Sequence, residues 1–107
     1  MDTYQTTRLQ ALGDATRQAI LERLLEGPIS VGKLAEDFPV SRPAISQHLR
    51  VLEHANLVMH RSAGTRRVYQ LNPEGFDLLR EYFDRFWSRA LAGFKKKVEE
   101  EPIKENS

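Results

Sequence analysis

A helix that feeds straight into two short strands restricts the fold more than any other feature of this chain. The segment runs from Ser41 to Leu71, SRPAISQHLRVLEHANLVMHRSAGTRRVYQL. Ser41 is placed to cap the helix, and Pro43 is tolerated in the first turn, where backbone donors have no intrahelical acceptor. Ile45, Leu49 and Leu52 recur at i, i+4 and i+7 and predict one buried stripe. Pro43, Gln47, Arg50 and His54 fall on the opposite side, with Arg42 and Ser46 flanking them near the helix start. Asn56 suits a left-handed helix exit. Leu57–Arg61 and Arg66–Leu71 then read as strands around a four-residue loop, Ser62-Ala63-Gly64-Thr65.

Helix signals dominate the remainder. Tyr4–Leu12 predicts a short first helix ending at Gly13. Asp14 caps a second, ATRQAILERLLE, with Ala15, Ala19, Ile20 and Leu24 on its buried side, and Gly27-Pro28 stops it. Ser30 caps a third, VGKLAEDF, closed by Phe38-Pro39. Asn72-Pro73 opens a long last helix to about Glu100. The expected order is ααααββα: a mainly helical fold with a small β-hairpin wing, in one domain over residues 1–100. Its parts are a helix-turn-helix at 30–55, a wing at 57–71 and a dimerisation helix at 73–100, followed by a charged, disordered tail at 101–107.

Charge is distributed unevenly. The net charge is only +1 over 107 residues, yet Ser41–Leu71 carries five arginines against one glutamate. Met1–Val40 has four basic and six acidic residues, and Pro73–Ser107 seven and eight. The positive excess therefore belongs to one shape. There is no cysteine, which excludes disulfides, thiolate metal sites and thiol nucleophiles. No apolar run approaches membrane-spanning length and no signal-peptide pattern opens the chain, so a soluble cytoplasmic protein is expected. No catalytic constellation or glycine-rich phosphate loop is present, so an enzyme is not expected.

A helix with one polar face and an arginine-tipped hairpin suit duplex DNA, the helix in the major groove and the hairpin on neighbouring backbone. Gln47 and Arg50 are the expected base readers, Gln for adenine and Arg for guanine. Ser41, Arg42 and Ser46 stand where the helix start meets phosphates, and the two roles are interchangeable at this stage. Arg66 and Arg67 are phosphate or minor-groove candidates, although a merely solvated turn is their alternative. His48, bordering the buried stripe, suits a structural or phosphate contact. His48 and His54 lie about 120° apart on the helix and cannot share a metal ion within one chain. No cofactor or metal site is assigned. The competing class is a winged-helix protein-interaction module that does not bind DNA.

In the last helix Phe76, Leu79, Phe83, Phe86, Trp87, Ala90, Leu91, Phe94 and Val98 form an apolar band at i+3/i+4 steps. Such a helix spans about 40 Å, longer than one small domain covers. A second copy is the simplest cover, with Phe83, Phe86, Trp87, Ala90 and Phe94 at the interface and the first helix joining it. Lys95-Lys96-Lys97 reads as a helix-end charge cluster.

Three stretches carry a family resemblance: LGDATRQAILERLL, SVGKLAEDFPVSRPAISQHLRVLEHANLV and GTRRVYQL. Over residues 8–72 the chain resembles the ArsR-type winged helix-turn-helix repressors, and its long last helix agrees with their dimerisation helix. The resemblance implies a homodimeric transcriptional repressor. Where metal-sensing members carry a Cys-x-Cys pair, this chain has Ser30 and Gly32, and its last helix contains no histidine. The metal-sensing role therefore does not carry over; the aromatic FWSRAL stretch of the last helix is similar to a metal-free branch of the family, and no small-molecule effector is inferred.

Overall fold

The computed structural model describes residues 3–100, so the tail expected at 101–107 lies outside the described residues. The order is α1 (Thr3–Ala11), α2 (Ala15–Leu24), β1 (Ile29–Ser30), α3 (Val31–Glu36), α4 (Arg42–His54), β2 (Val58–Ala63), β3 (Arg66–Leu71) and α5 (Pro73–Glu100). Helix starts follow the caps: Asp14 accepts from the Arg17 amide at 3.0 Å, Ser30 from Lys33 at 3.4 Å and Ser41 from Ala44 at 3.2 Å. Asn72 Oδ1 accepts from the Glu74 amide at 3.1 Å ahead of α5.

Three local expectations are corrected. Ile29-Ser30 forms a third strand, pairing antiparallel with β3 through Ile29↔Tyr69 and Ser30↔Val68. The sheet order is therefore β1-β3-β2. Two residues are too few to show a period-two pattern, and Ser30 already reads as a helix cap. The hairpin loop is also shorter than expected, because β2 extends through Ser62 and Ala63, and Ala63 pairs with Arg66. Gly64 supplies the φ of +65° that a two-residue turn needs at its first position. Finally, Ala15 in the first turn of α2 is exposed; Ile20, Leu21 and Leu24 bury the helix instead.

The core lies between α2, α3, α4 and the sheet. Ile45, Leu49 and Leu52 of α4 are fully buried against Ile20, Leu34, Leu57, Val58 and Tyr69. Burying each such side chain is worth about 1.5–3 kcal/mol, which fixes α4 with its polar face outward. Asn56, at φ +60°, turns the chain from α4 into β2. The first turn of α5 rests directly on that corner. A Cβ at Gly75 would lie 2.7 Å from the Asn56 carbonyl carbon, so only glycine fits there.

α1 is tied to α5 by a polar contact that a second bond within α1 supports. Gln5 Nε2 donates to the Leu78 carbonyl at 3.2 Å, and Arg8 Nε donates to Gln5 Oε1 at 3.2 Å, with both side chains buried. Beyond Leu79 the remainder of α5 leaves the body, which gives the molecule extents of 66 × 26 × 23 Å.

Candidate nucleic-acid interface

On the outer side of α4, Ser41, Arg42, Gln47 and Arg50 are exposed, whereas Ser46 and His48 are half-buried. Gln47 and Arg50, expected to act separately, are joined. Arg50 Nε donates to Gln47 Oε1 at 3.3 Å and Nη2 donates to the same oxygen at 2.8 Å. Their i, i+3 spacing places them on one face of the helix.

Glu53 is the one acidic residue of α4 and stands one turn beyond Arg50. It turns away from the outer face. Its Oε2 lies 2.6 Å from His60 Nδ1 on β2, and its Oε1 accepts from the Tyr69 hydroxyl at 3.5 Å on β3. His60 and Tyr69 are a cross-strand pair with ring centroids 5.1 Å apart. Sequence reasoning missed this cluster. Its signal lay in the strand register, which sets His60 opposite Tyr69, but the reach of Glu53 onto the sheet depends on how α4 packs.

The wing and the start of α4 share a cleft. Lys33, Glu36, Arg42, Arg66 and Arg67 line a space of about 310 Å³ between α3, α4 and the hairpin turn. The Arg42 guanidinium lies over Gly32, its Nη1 3.7 Å from where a Cβ would stand. Four cations with one carboxylate thus bridge the helix-turn-helix and the wing tip. Lys33 was not among the sequence candidates, because it belongs to α3 and reaches this cleft only through the tertiary fold.

His48 is drawn the other way. Arg17 Nη1 lies 3.4 Å from His48 Nδ1, while Arg17 Nε donates to the Ala11 carbonyl at 2.8 Å. A guanidinium only donates, so Nδ1 accepts and the imidazole keeps its hydrogen on Nε2. Arg17 thereby connects the end of α1 to the inner edge of α4. The N-cap aspartate of α2 shares this corner. Its carboxyl is held below its ordinary range, chiefly by the bond from the Arg17 amide, with the nearby Arg17 charge adding to the effect and desolvation opposing it.

Ser30 and Gly32 have structural roles here. The Ser30 hydroxyl caps α3, and Gly32 makes room for Arg42. Among the described residues no three His, Asp or Glu side chains converge as a metal site, and no helix is long and apolar enough to cross a membrane. On the distal half of α5, Phe83, Phe86, Trp87 and Phe94 are 48–68% exposed, and Ala90 is exposed among them. Tyr82 stacks on Phe86 at 6.4 Å.

A helix-turn-helix backed by a three-stranded sheet, with an arginine-tipped turn beside the second helix, defines the winged-helix class. Residues 14–59 match the family described as "Bacterial regulatory protein, arsR family". Over 103 residues the chain is 57% identical to the HTH-type transcriptional regulator Rv2034 of Mycobacterium tuberculosis, covering 94% of this chain and 96% of that protein. It is 35% identical over 79 residues to the arsenical resistance operon repressor of Staphylococcus xylosus, covering 74% and 76% of the two chains. The fold is similar to that of an ArsR-like transcriptional regulator from Rhodococcus sp. RHA1, with a TM-score of 0.75 and 31% identity over 89% of this chain and 92% of that one. The chain belongs to the ArsR family of transcriptional regulators.

Proposed function

We propose that the chain is a homodimeric transcriptional repressor that binds a palindromic DNA operator without sensing a metal. Each protomer places α4 in the major groove of one half-site, with the wing on adjacent backbone. The observation that carries this reading is the sign of the outer face of α4. Gln47 and Arg50 point outward, while the one carboxylate of the helix is drawn onto the sheet by His60 and Tyr69. The cationic cleft continues that face to Arg66 and Arg67. Ser41, Arg42 and Ser46 at the helix start contact phosphates, and the Nε2–H of His48 is a further phosphate donor.

Dimerisation is supported by the distal α5. An aromatic stripe this exposed exceeds what a monomer usually presents to water. Phe83, Phe86, Trp87, Ala90 and Phe94 form the contact, and two-fold symmetry then implies an operator with two like half-sites. Occupation of the Ser30 and Gly32 positions by a cap and a spacer supports metal independence.

Equilibrium binding to duplex DNA as a function of salt tests the reading. Log affinity should fall linearly with log salt for the wild type, and Arg66→Ala and Arg67→Ala should each reduce the slope by about one. An unchanged slope would remove the wing from the contact. The absence of any salt-sensitive duplex affinity would favour a protein-interaction module instead.

A further inference from the structure

We infer that Gln47 and Arg50 form one donor-only reading unit, which selects bases with a carbonyl in the major groove (guanine or thymine) at two adjacent positions. The inference rests on the DNA-binding reading above and specifies what that face recognises. It replaces the sequence expectation that Gln47 reads adenine.

Hydrogen-bond capacity limits what the pair can read. A carboxamide oxygen has two lone pairs, and both are used at Gln47 Oε1, one by Arg50 Nε–H and one by Nη2–H. Because a guanidinium donates only, the carbonyl end of Gln47 is the end that faces it. The Gln47 Nε2 amino group is thereby directed away from Arg50 with two hydrogens to offer. Bidentate reading of adenine needs that same oxygen to accept from the adenine amino group. Gln47 could do this only by giving up two charge-assisted bonds.

Arg50 is constrained in a complementary way. Its Nε side is occupied, which leaves its end-on edge, one hydrogen on each of Nη1 and Nη2. That edge matches the paired O6 and N7 acceptors of guanine. Gln47 and Arg50 are three residues apart, about 4.5 Å along the helix axis. This is close to the 3.4 Å separation of bases along a strand. The pair therefore meets neighbouring bases with hydrogen-bond donors alone. Guanine answers with O6 and N7 and thymine with O4, whereas adenine offers N7 alone beside a repelling amino group and cytosine offers no acceptor, so both are disfavoured, cytosine the more strongly.

The Glu53 cluster preserves this polarity. One turn from Arg50, a free Glu53 carboxylate would be a natural i, i+3 partner for the guanidinium and would add an acceptor to the face. Its contacts with His60 and Tyr69 remove it. Glu53 and His60 are thus positioning residues that keep the reading unit free of acceptors.

Selection of bound fragments from random duplex DNA, carried out with the wild type and Gln47→Glu, tests the inference. The wild type should recover guanine at one position of each half-site and guanine or thymine beside it. Gln47→Glu offers only acceptors, so preference at the second position should move to cytosine or adenine. On the recovered operator, Gln47→Ala should cost about tenfold in affinity in the wild-type background and several-fold less when Arg50 is already alanine. Adenine at the Gln47 position, or equal losses in both backgrounds, would overturn the inference while leaving DNA binding intact. A wild type with no salt-sensitive duplex affinity would overturn the DNA-binding reading, and this inference with it.

Discussion

α4 and the distal half of α5 are written in the same pattern and meet opposite fates. Each repeats apolar side chains at helical spacing. In α4 the stripe of Ile45, Leu49 and Leu52 is fully buried, whereas in α5 Phe83, Phe86, Trp87, Leu91 and Phe94 remain 48–68% exposed. The difference lies in what the rest of the chain can reach. α2, α3 and the sheet close over α4, but at about 42 Å a 28-residue helix outruns the body that anchors its first two turns. Periodicity specifies a face. The tertiary fold decides whether that face is core or contact surface.

Truncating one residue of each stripe should therefore give different responses. Leu49→Ala leaves a cavity under α4 and should lower unfolding free energy by about 2–5 kcal/mol, measured by denaturant titration. Trp87→Ala should leave the unfolding of the separated protomer almost unchanged and instead raise the dimer dissociation constant, read by sedimentation. A large loss in protomer stability from Trp87→Ala would mean that the α5 stripe is core after all. The smallest expected effect lies at the α2 cap. The carboxyl of Asp14 is depressed in the folded state, so its contribution is complete above the ordinary carboxylate range and is lost as pH falls through the folded value. Asp14→Asn should flatten the decline of Tm over that acidic interval. Identical acid profiles would contradict the role of the cap.

The elements that could be read from sequence were those with local causes. Asp14, Ser30, Ser41 and Asn72 announce helix starts because a cap is a short-range hydrogen bond. The α4 stripe was legible because three buried positions repeat within one helix. β1 was not, since its two residues become a strand only when Tyr69 and Val68 arrive from forty residues away. The same limit applied to the candidate interface. Arg42, Gln47, Arg50, Arg66 and Arg67 could be picked out one by one from charge and helix face. The bond between Gln47 and Arg50, the diversion of Glu53 to His60 and Tyr69, and the entry of Lys33 into the wing cleft depend on packing. In the proposed reading those arrangements give the basic surface a definite hydrogen-bond polarity.

In the proposed dimer a two-fold axis joins the exposed aromatic helix to the DNA-reading face. Sedimentation of the chain alone and with a duplex recovered by selection tests that union most directly. The expected result is a dimer at micromolar concentration and two chains on each duplex, with the complex dissociating as salt is raised. A chain that sediments as a monomer under both conditions, or a complex indifferent to salt, would contradict the proposed dimer on DNA.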